Sequence, residues 1–304
     1  MARWLGLDLG GTNIKLTVVD DDGDPVAVVG RDVSSTRATS GPDAVIARLV
    51  EAGREAIARW GPVDGGAVGV PGVFDADRGD ILLFPNLPGS WTGRPLVAPL
   101  AVALGVPMAI INDARAFTLA EASIGAAAGC PTVVCLVLGT GIGGGVVIDG
   151  KLHAGRHGRA GEIAHQVVVA GGPACGCGNR GCLETVATSG ALARLAGQES
   201  VEHVFLAARA GDERSAAAIA TVADHIGVVI ANIITVLVPD RVVIGGGVAS
   251  AGDDLLEPIR AAVRRHNVLV PSDWYEIVPA VLGPDAGAIG AALWARDEAQ
   301  RRQV

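Results

Sequence analysis

The sequence predicts an α/β protein built as two similar lobes around a cleft. Three observations carry that expectation. A strand–strand–strand–helix–strand–helix pattern runs along the chain twice in broad outline. Glycine turns fall at matching points of the two copies. The composition, 50% apolar but only 3% aromatic, gives an aliphatic core, and 304 residues suffice for one large or two medium domains.

Taken in order, Arg3–Leu9, Ile14–Asp20 and Pro25–Val33 read as three consecutive strands. Gly10-Gly11-Thr12-Asn13 forms the first turn and Asp21-Asp22-Gly23-Asp24 the second, a strong hairpin signal. Pro42–Trp60 is helical in period, with Val45, Leu49, Ala52, Ala56 and Trp60 near one face. Gly66–Val70 is a buried strand ending at Pro71-Gly72. Phe84–Pro95 is a Pro/Gly-rich loop of the kind that carries specificity. A helix over Leu96–Leu104 follows.

Val106–Ile111 is a short apolar strand that ends in Asn112-Asp113, before a helix over Ala114–Gly125. Such a strand delivers its terminal polar side chains to the carboxyl edge of a sheet, where α/β proteins bind ligands. Thr132–Leu138 is another strand and runs into Gly139–Gly145. Helices are expected within Gly190–Gly211 and over Ser215–Val238. The strand Arg241–Ile244, the helix Leu255–His266, the strand Tyr275–Pro279 and the helix Asp285–Ala299 complete the chain, with Gln300–Val304 frayed.

The net charge of −8 argues against nucleic acid as a main partner, because phosphate-backbone binding needs a basic face. No signal peptide is visible, and no run of about 18 uninterrupted apolar residues suggests a membrane span. Val222–Val238 comes nearest, interrupted by Asp224, His225 and Asn232. Three of the five cysteines cluster among glycines, which fits a reduced, cytoplasmic protein whose thiols hold metal.

Four motifs carry chemistry. Asp8-Leu9-Gly10-Gly11-Thr12-Asn13 joins two strands, and its glycines let backbone N–H groups face an anion. No Gly-Lys-Ser/Thr follows, so it is not a Walker loop. The bland alternative is a tight hairpin; Asp8 at the strand end favours a phosphate and Mg²⁺ site, with Lys15 beyond. Gly139-Thr140-Gly141, opening the run Gly139–Gly145, repeats the design. Alone it is weak, but a pair of such loops suits a triphosphate donor. Gly245-Gly246-Gly247 would let an adenine or ribose lie flat on backbone, and an ordinary strand-to-helix turn explains it about as well. His165, Cys175, Cys177 and Cys182 form H-x9-C-x-C-x4-C, a donor set for tetrahedral structural zinc. Asp113 is the candidate general base for a sugar hydroxyl, against the plainer role of capping the following helix.

Together these residues resemble the ROK family (repressors, open reading frames and sugar kinases). The most specific part is Gly161-Glu162-Ile163-Ala164-His165 through the cysteine cluster to Leu183-Glu184. The resemblance implies an actin-like ATPase (ribonuclease H-like) fold with ATP-Mg²⁺ in the cleft, a hexose beneath it, and a homodimer or homotetramer. Residues 1–111 plus 285–304 would form a small N-terminal lobe, and residues 112–284 a larger C-terminal lobe carrying the zinc loop 165–182. Asp113 would deprotonate the sugar 6-hydroxyl. Asn86, Asn112, Glu162, His165 and Glu184 would hold the sugar, with His165 bridging metal and sugar through its two ring nitrogens. Family repressors carry a helix-turn-helix before the first glycine loop. Here that loop begins at Gly10, which points to the kinase branch. Polyphosphate-using members generally lack the cysteine cluster, which favours ATP.

Three departures from the family pattern bear on the sugar: Ala164 where glycine is usual, Arg115 where asparagine is common, and a longer-looking 84–95 loop. If position 164 needs φ > 0, its methyl costs roughly 1 kcal/mol. The expected activity is an ATP-dependent hexose 6-kinase, with glucose first. The alternative is a kinase of an amino sugar: N-acetylglucosamine, N-acetylmannosamine, glucosamine or 3-amino-3-deoxyglucose. A non-catalytic sugar sensor is the remaining reading.

Overall fold

The computed structural model describes residues 2–21, 23, 26–84 and 87–302. Asn86, Asp22, Asp24 and Pro25 lie outside the described residues, so the expectations placed on them are not addressed by it.

In chain order the elements are β1 (Arg3–Leu9), β2 (Asn13–Asp20), β3 (Ala27–Ser35), α1 (Pro42–Trp60), β4 (Gly65–Val70), β5 (Val73–Phe74), β6 (Asp80–Leu83), β7 (Arg94–Pro95), α2 (Val97–Leu104), β8 (Met108–Asn112) and α3 (Asp113–Ile124). Then come β9 (Val133–Leu138), β10 (Ile142–Ile148), β11 (Lys151–Leu152), α4 (Leu183–Ala187), α5 (Ser189–Ala196), α6 (Val201–Arg209), α7 (Glu213–Leu237), β12 (Arg241–Gly245), α8 (Asp253–His266), β13 (Glu276–Pro279) and α9 (Ala286–Arg301).

The chain divides into two compact units. The first holds Met1–Ile124, Ala154–Arg159 and Pro284–Val304; the second holds Gly125–His153 and Ala160–Gly283. Each is built on a five-stranded sheet, ordered β3-β2-β1-β4-β8 in the first and β11-β10-β9-β12-β13 in the second. In both, an antiparallel meander is extended by two parallel strands. The repeat read in the sequence is thus a repeat of sheet topology.

The line between the units falls after Ile124, not after residue 111 as expected. The reason is α3, which packs on α9 so closely that a Cβ on Gly290 would stand 1.7 Å from the carbonyl oxygen of Ala116. α9 also lies flat on β1, where a Cβ on Gly6 would meet the Ala288 carbonyl oxygen at 1.8 Å. The Trp294 indole donates to the Ile110 carbonyl at 3.1 Å. These contacts hold α9 helical to Arg301, past the fraying point expected at Gln300.

α1 begins at Pro42 with the fixed φ that suits a first helical turn, and buries Val45, Leu49, Ala52 and Ala56 as its period predicts. α7 meets the length and hydropathy of a membrane span, but much of it is buried inside the second unit, Val222, Ile226, Val229 and Ile230 among its core residues. Asp212 caps it, accepting from the Ser215 N–H at 2.8 Å. Two expected loops are more ordered than composition suggested. Residues 87–95 of the first loop pack on the core of the first unit: Trp91 is buried, its ring 4.9 Å from Phe84 and its N–H donating to Pro88 at 3.1 Å. In the run 139–145 only the first residues turn. Gly143, Gly144 and Gly145 belong to β10, where a Cβ on Gly144 would strike Ile163 at 2.8 Å.

Candidate active site

In the first unit, β1 brings Asp8 to a half-buried position directly opposite Lys15 of β2. The glycine turn between them is closed by a Gly10 N–H to Asn13 bond at 2.9 Å. Thr36, fully buried, braces it twice: its hydroxyl donates to the Gly10 carbonyl at 2.7 Å and its N–H to the Thr12 carbonyl at 2.8 Å. Gly11, Thr12 and Asn13 remain exposed. Lys15 Nζ donates to the Pro284 carbonyl at 2.8 Å, tying the hairpin to the segment before α9. The first turn of α9 borders Asp8, since a Cβ on Gly287 would lie 2.7 Å from its Oδ2.

β8 ends in Asn112, and Asp113 opens α3. Asn112 Oδ1 accepts from the N–H groups of Ala114 and Arg115 at 3.2 and 3.3 Å, so Asn112 is the principal cap. Asp113 Oδ1 accepts from the Ala114 N–H at 2.8 Å. Burial, reinforced by the nearby negative charge of Asp8, pushes the Asp113 carboxyl up to about 7, against the pull of the Ala114 N–H and the Arg115 guanidinium. Burial likewise raises Asp8 to about 6, opposed by Lys15. Two carboxylates are therefore held close together, both costly to ionise without a cation. That pattern marks functional sites.

In the second unit, Glu162 precedes and His165 ends a single 3-10 turn over Ile163–His165. Ala164 there is buried and does not have a positive φ, so the strain foreseen for its methyl does not arise. The donor atoms of His165, Cys175, Cys177 and Cys182 all lie within 4.8 Å of one another. His165 Nδ1 is 3.6 Å from Cys175 Sγ, and the sulfurs of Cys177 and Cys182 are 3.7 Å apart. A tetrahedral ion with Zn–S bonds of about 2.3 Å sets S···S at about 3.8 Å, and N···S slightly less. A disulfide would need about 2.0 Å. The set therefore has the spacing of zinc ligands. The Asn179 N–H holds the Cys177 thiol below its ordinary value, whereas burial raises those of Cys175 and Cys182. The turn that places these sulfurs is closed by Cys175 N–H to Asn179 and Gly178 N–H to Cys175 bonds at 2.8 and 3.0 Å.

Glu184 stands in the first turn of α4, two residues after Cys182. Its Oε2 lies 3.9 Å from His165 Nδ1 and 3.8 Å from Cys175 Sγ, while His165 Nε2 faces Glu162 Oε2 at 3.9 Å. Glu184 also reaches the second glycine turn, since its Oε1 would be 3.2 Å from a Cβ on Gly141. Gly139 in that turn accepts from the Ser189 N–H of α5 at 2.9 Å. Thus the histidine–cysteine cluster, two carboxylates and Gly139-Thr140-Gly141 form one connected assembly. Gly245 closes β12, Gly246 (φ 89°) passes so close to β9 that a Cβ would meet the Leu138 carbonyl oxygen at 2.3 Å, and Gly247 faces open space.

Sequence reasoning missed Thr36, Gly287 and the role of Arg115. Thr36 and Gly287 lie far along the chain from the residues they serve, and no spacing signals them. Arg115 was visible only as a departure; the fold buries it in the first turn of α3, where its charge acts on Asp113.

Two five-stranded sheets of one topology, each ending in glycine turns and carboxylates, define an actin-like ATPase fold. The ROK family model matches residues 4–298, and the chain belongs to that family. A glucokinase of Thermotoga maritima is 38% identical, over 95% of this chain and 96% of its own length. An N-acetylgalactosamine kinase of Shewanella sp. (strain ANA-3) is 33% identical over 95% and 96%. Among solved structures, a ROK hexokinase from Thermus thermophilus is 35% identical with TM-score 0.86, covering 98% of this chain and 99% of that one. A Streptomyces griseus ROK glucokinase, solved with glucose and AMPPNP, is 31% identical with TM-score 0.80, covering 97% and 100%.

Proposed function

We propose that the chain is an ATP-dependent hexose 6-kinase with glucose as its first substrate. The observation that carries this is the position of Asp113 at the junction of β8 and α3, where burial and the neighbouring Asp8 push its carboxyl up to about 7. A sugar hydroxyl attacks poorly until its proton has an acceptor, and a base near neutrality accepts it with the best compromise of basicity and availability. The 6-hydroxyl oxygen forms a bond to the γ-phosphorus, the bond to the bridging β–γ oxygen breaks, ADP leaves and the proton goes to Asp113. The glycine loops 10–13 and 139–141 offer backbone N–H groups to the phosphates, with Gly245–Gly247 beside the nucleoside. Asp8 is the residue that would hold Mg²⁺, which neutralises charge on the phosphates.

Asn112, Glu162, His165 and Glu184 hold the sugar hydroxyls. Zinc on His165, Cys175, Cys177 and Cys182 is structural, since four protein donors leave no open position. His165 turns Nδ1 to the sulfurs and leaves Nε2 toward Glu162, which supports its double role. Unpaired thiols at metal spacing suit a reducing, cytoplasmic setting. A homodimer or homotetramer is the assembly expected of this family.

The second reading, an amino-sugar kinase, is supported by the N-acetylgalactosamine kinase among full-length relatives. A coupled ADP-release assay with Mg·ATP against glucose, mannose, fructose, glucosamine, 3-amino-3-deoxyglucose and the N-acetyl sugars tests both. Glucose should give the highest kcat/KM. A tenfold lead for an amino sugar, about 1.4 kcal/mol, would replace the first reading with the second, and no turnover of any sugar would overturn both.

A further inference from the structure

α9 meets the elements that carry Asp8 and Asp113 through glycines, and its close approaches are not alike. At Gly290 a Cβ would enter the Ala116 carbonyl of α3, and at Gly6 of β1 it would enter the Ala288 carbonyl. In both places the obstacle is backbone, which the surrounding packing holds fast. At Gly287, in the first turn of α9, the obstacle is a side chain. A Cβ there would stand 2.7 Å from Asp8 Oδ2, 2.8 Å from its Cγ and 3.2 Å from its Oδ1. The whole carboxyl group of Asp8 therefore lies against the space that this glycine leaves open.

The helix itself does not call for glycine at that position. Gly287 does not have a positive φ, so alanine fits its backbone, and alanine is the better helix former. On its other sides Asp8 has Lys15 directly across in β2 and Gly69 alongside in β4. A Cβ on Gly69 would make only an ordinary contact, 3.7 Å from Asp8 Oδ1. Lys15 is itself tied to the start of α9 through the Pro284 carbonyl, and Asp285 meets Arg31 of β3 at 3.6 Å. The first turn of α9 is thus anchored to β2 and β3, with its open position held against Asp8. All of these residues belong to the first unit. The donor chemistry suits a divalent cation, since the carboxylate oxygens of Asp8 are hard ligands and the charge of Asp113 is nearby.

We propose that Gly287 is a positioning residue for the cation: the side chain it lacks leaves the Asp8 carboxylate where it can hold a divalent ion on the phosphates of the donor. The inference rests on the phosphoryl-transfer reading above and deepens it, because it makes cation affinity a property of α9. A methyl group at position 287 displaces the carboxylate rather than the helix, since the end of a side chain moves more readily than backbone. Mg²⁺ demands near-ideal octahedral geometry, so a displaced oxygen weakens its hold.

The test is Gly287→Ala, read by calorimetric titration of the non-hydrolysable analogue AMPPNP with and without Mg²⁺. The ratio of the two affinities is the gain that the cation supplies. That gain should be about tenfold smaller in the variant, with the cation-free affinity unchanged. The free Mg²⁺ needed for half-maximal turnover should rise in step, and the sugar KM should not move. Gly69→Ala should reduce the gain much less. Asp8→Ala removes the group that is displaced, so adding Gly287→Ala to it should change neither the gain nor thermal unfolding.

A cation gain in Gly287→Ala as large as in wild type overturns the proposal. So does an equal loss in Gly69→Ala, which would mark general packing damage. So does a fall in Tm that persists when Asp8 is already alanine, since the methyl would then strike the fold and not the carboxylate. Absence of any cation gain in wild type overturns it as well, by removing the ion from Asp8. The titrations need no sugar to be turned over, and the ADP-release assay judges the kinase reading separately, so the two failures are distinguishable.

Discussion

Glu184 Oε2 lies 3.9 Å from His165 Nδ1, the same ring nitrogen that faces Cys175 Sγ. A carboxylate proposed for substrate and a donor set proposed for metal therefore share one histidine. Since Glu184 also borders Gly141, whatever orders the sulfurs orders the second glycine turn as well.

Metal removal should act on both stability and sugar affinity. Structural zinc sites contribute on the order of 10–16 kcal/mol of apparent binding free energy, comparable to the stability of a whole domain. Elemental analysis should find one zinc per chain. Cys177→Ser, or treatment with a strong chelator, should lower Tm by many degrees and raise the sugar KM more than the ATP KM. Metal loss with an unchanged sugar KM would detach His165 and Glu184 from the sugar.

Asp113→Asn should lower kcat by about 10²–10⁴-fold while sugar binding, read by calorimetry, is retained. Asn112 already caps α3, so the substitution leaves the helix start intact. Turnover near wild type would remove Asp113 from the role of base.

The pH profile follows from its environment. The base must be ionised, so kcat/KM should fall as pH drops through about 7, the raised value of Asp113. The Arg115 guanidinium holds that value down. Arg115→Asn should therefore move the acid limb to higher pH, and a shift the other way would show that Arg115 does not act on the base electrostatically.

Stability should run opposite to activity. Asp8 and Asp113 both have folded-state values raised above the ordinary carboxylate value of 3.8. Their contribution to stability is full below about pH 4 and is lost as pH rises through 6 to 7, where ionisation in the folded state is penalised. Asp113→Asn should accordingly raise Tm at pH 8 by a few degrees and change it little at pH 4.5. Equal effects at both pH values would contradict the raised values.

Gly290→Ala should destabilise the first unit by about 1–3 kcal/mol or more, read by denaturant unfolding, because its Cβ would enter the Ala116 carbonyl. An unchanged midpoint would mean that α3 and α9 can separate at little cost.

The sequence by itself determined the local physics. Apolar runs that stop at Asp8, Asn112 and Leu138 fixed strands ending in polar or glycine turns, and the doubled strand pattern gave the shared topology of the two sheets. The H-x9-C-x-C-x4-C spacing marked four side chains whose donor atoms converge, because short loops between them are a local property of the chain. Tertiary structure decided what depends on residues distant along the chain. Where the first unit ends depended on α9, which returns from the far end of the chain to grip α3 through Gly290. That position 144 in β10 has no room for a side chain depended on Ile163 and the Cys135 carbonyl, each 2.8 Å from where a Cβ would stand. The value near 7 at Asp113 depended on burial and on Asp8, more than a hundred residues earlier. The strain foreseen at Ala164 vanished because the backbone there takes an ordinary turn. Periodicity and spacing report only on neighbours in sequence; burial, close approach and the field at a carboxylate are set by neighbours in space.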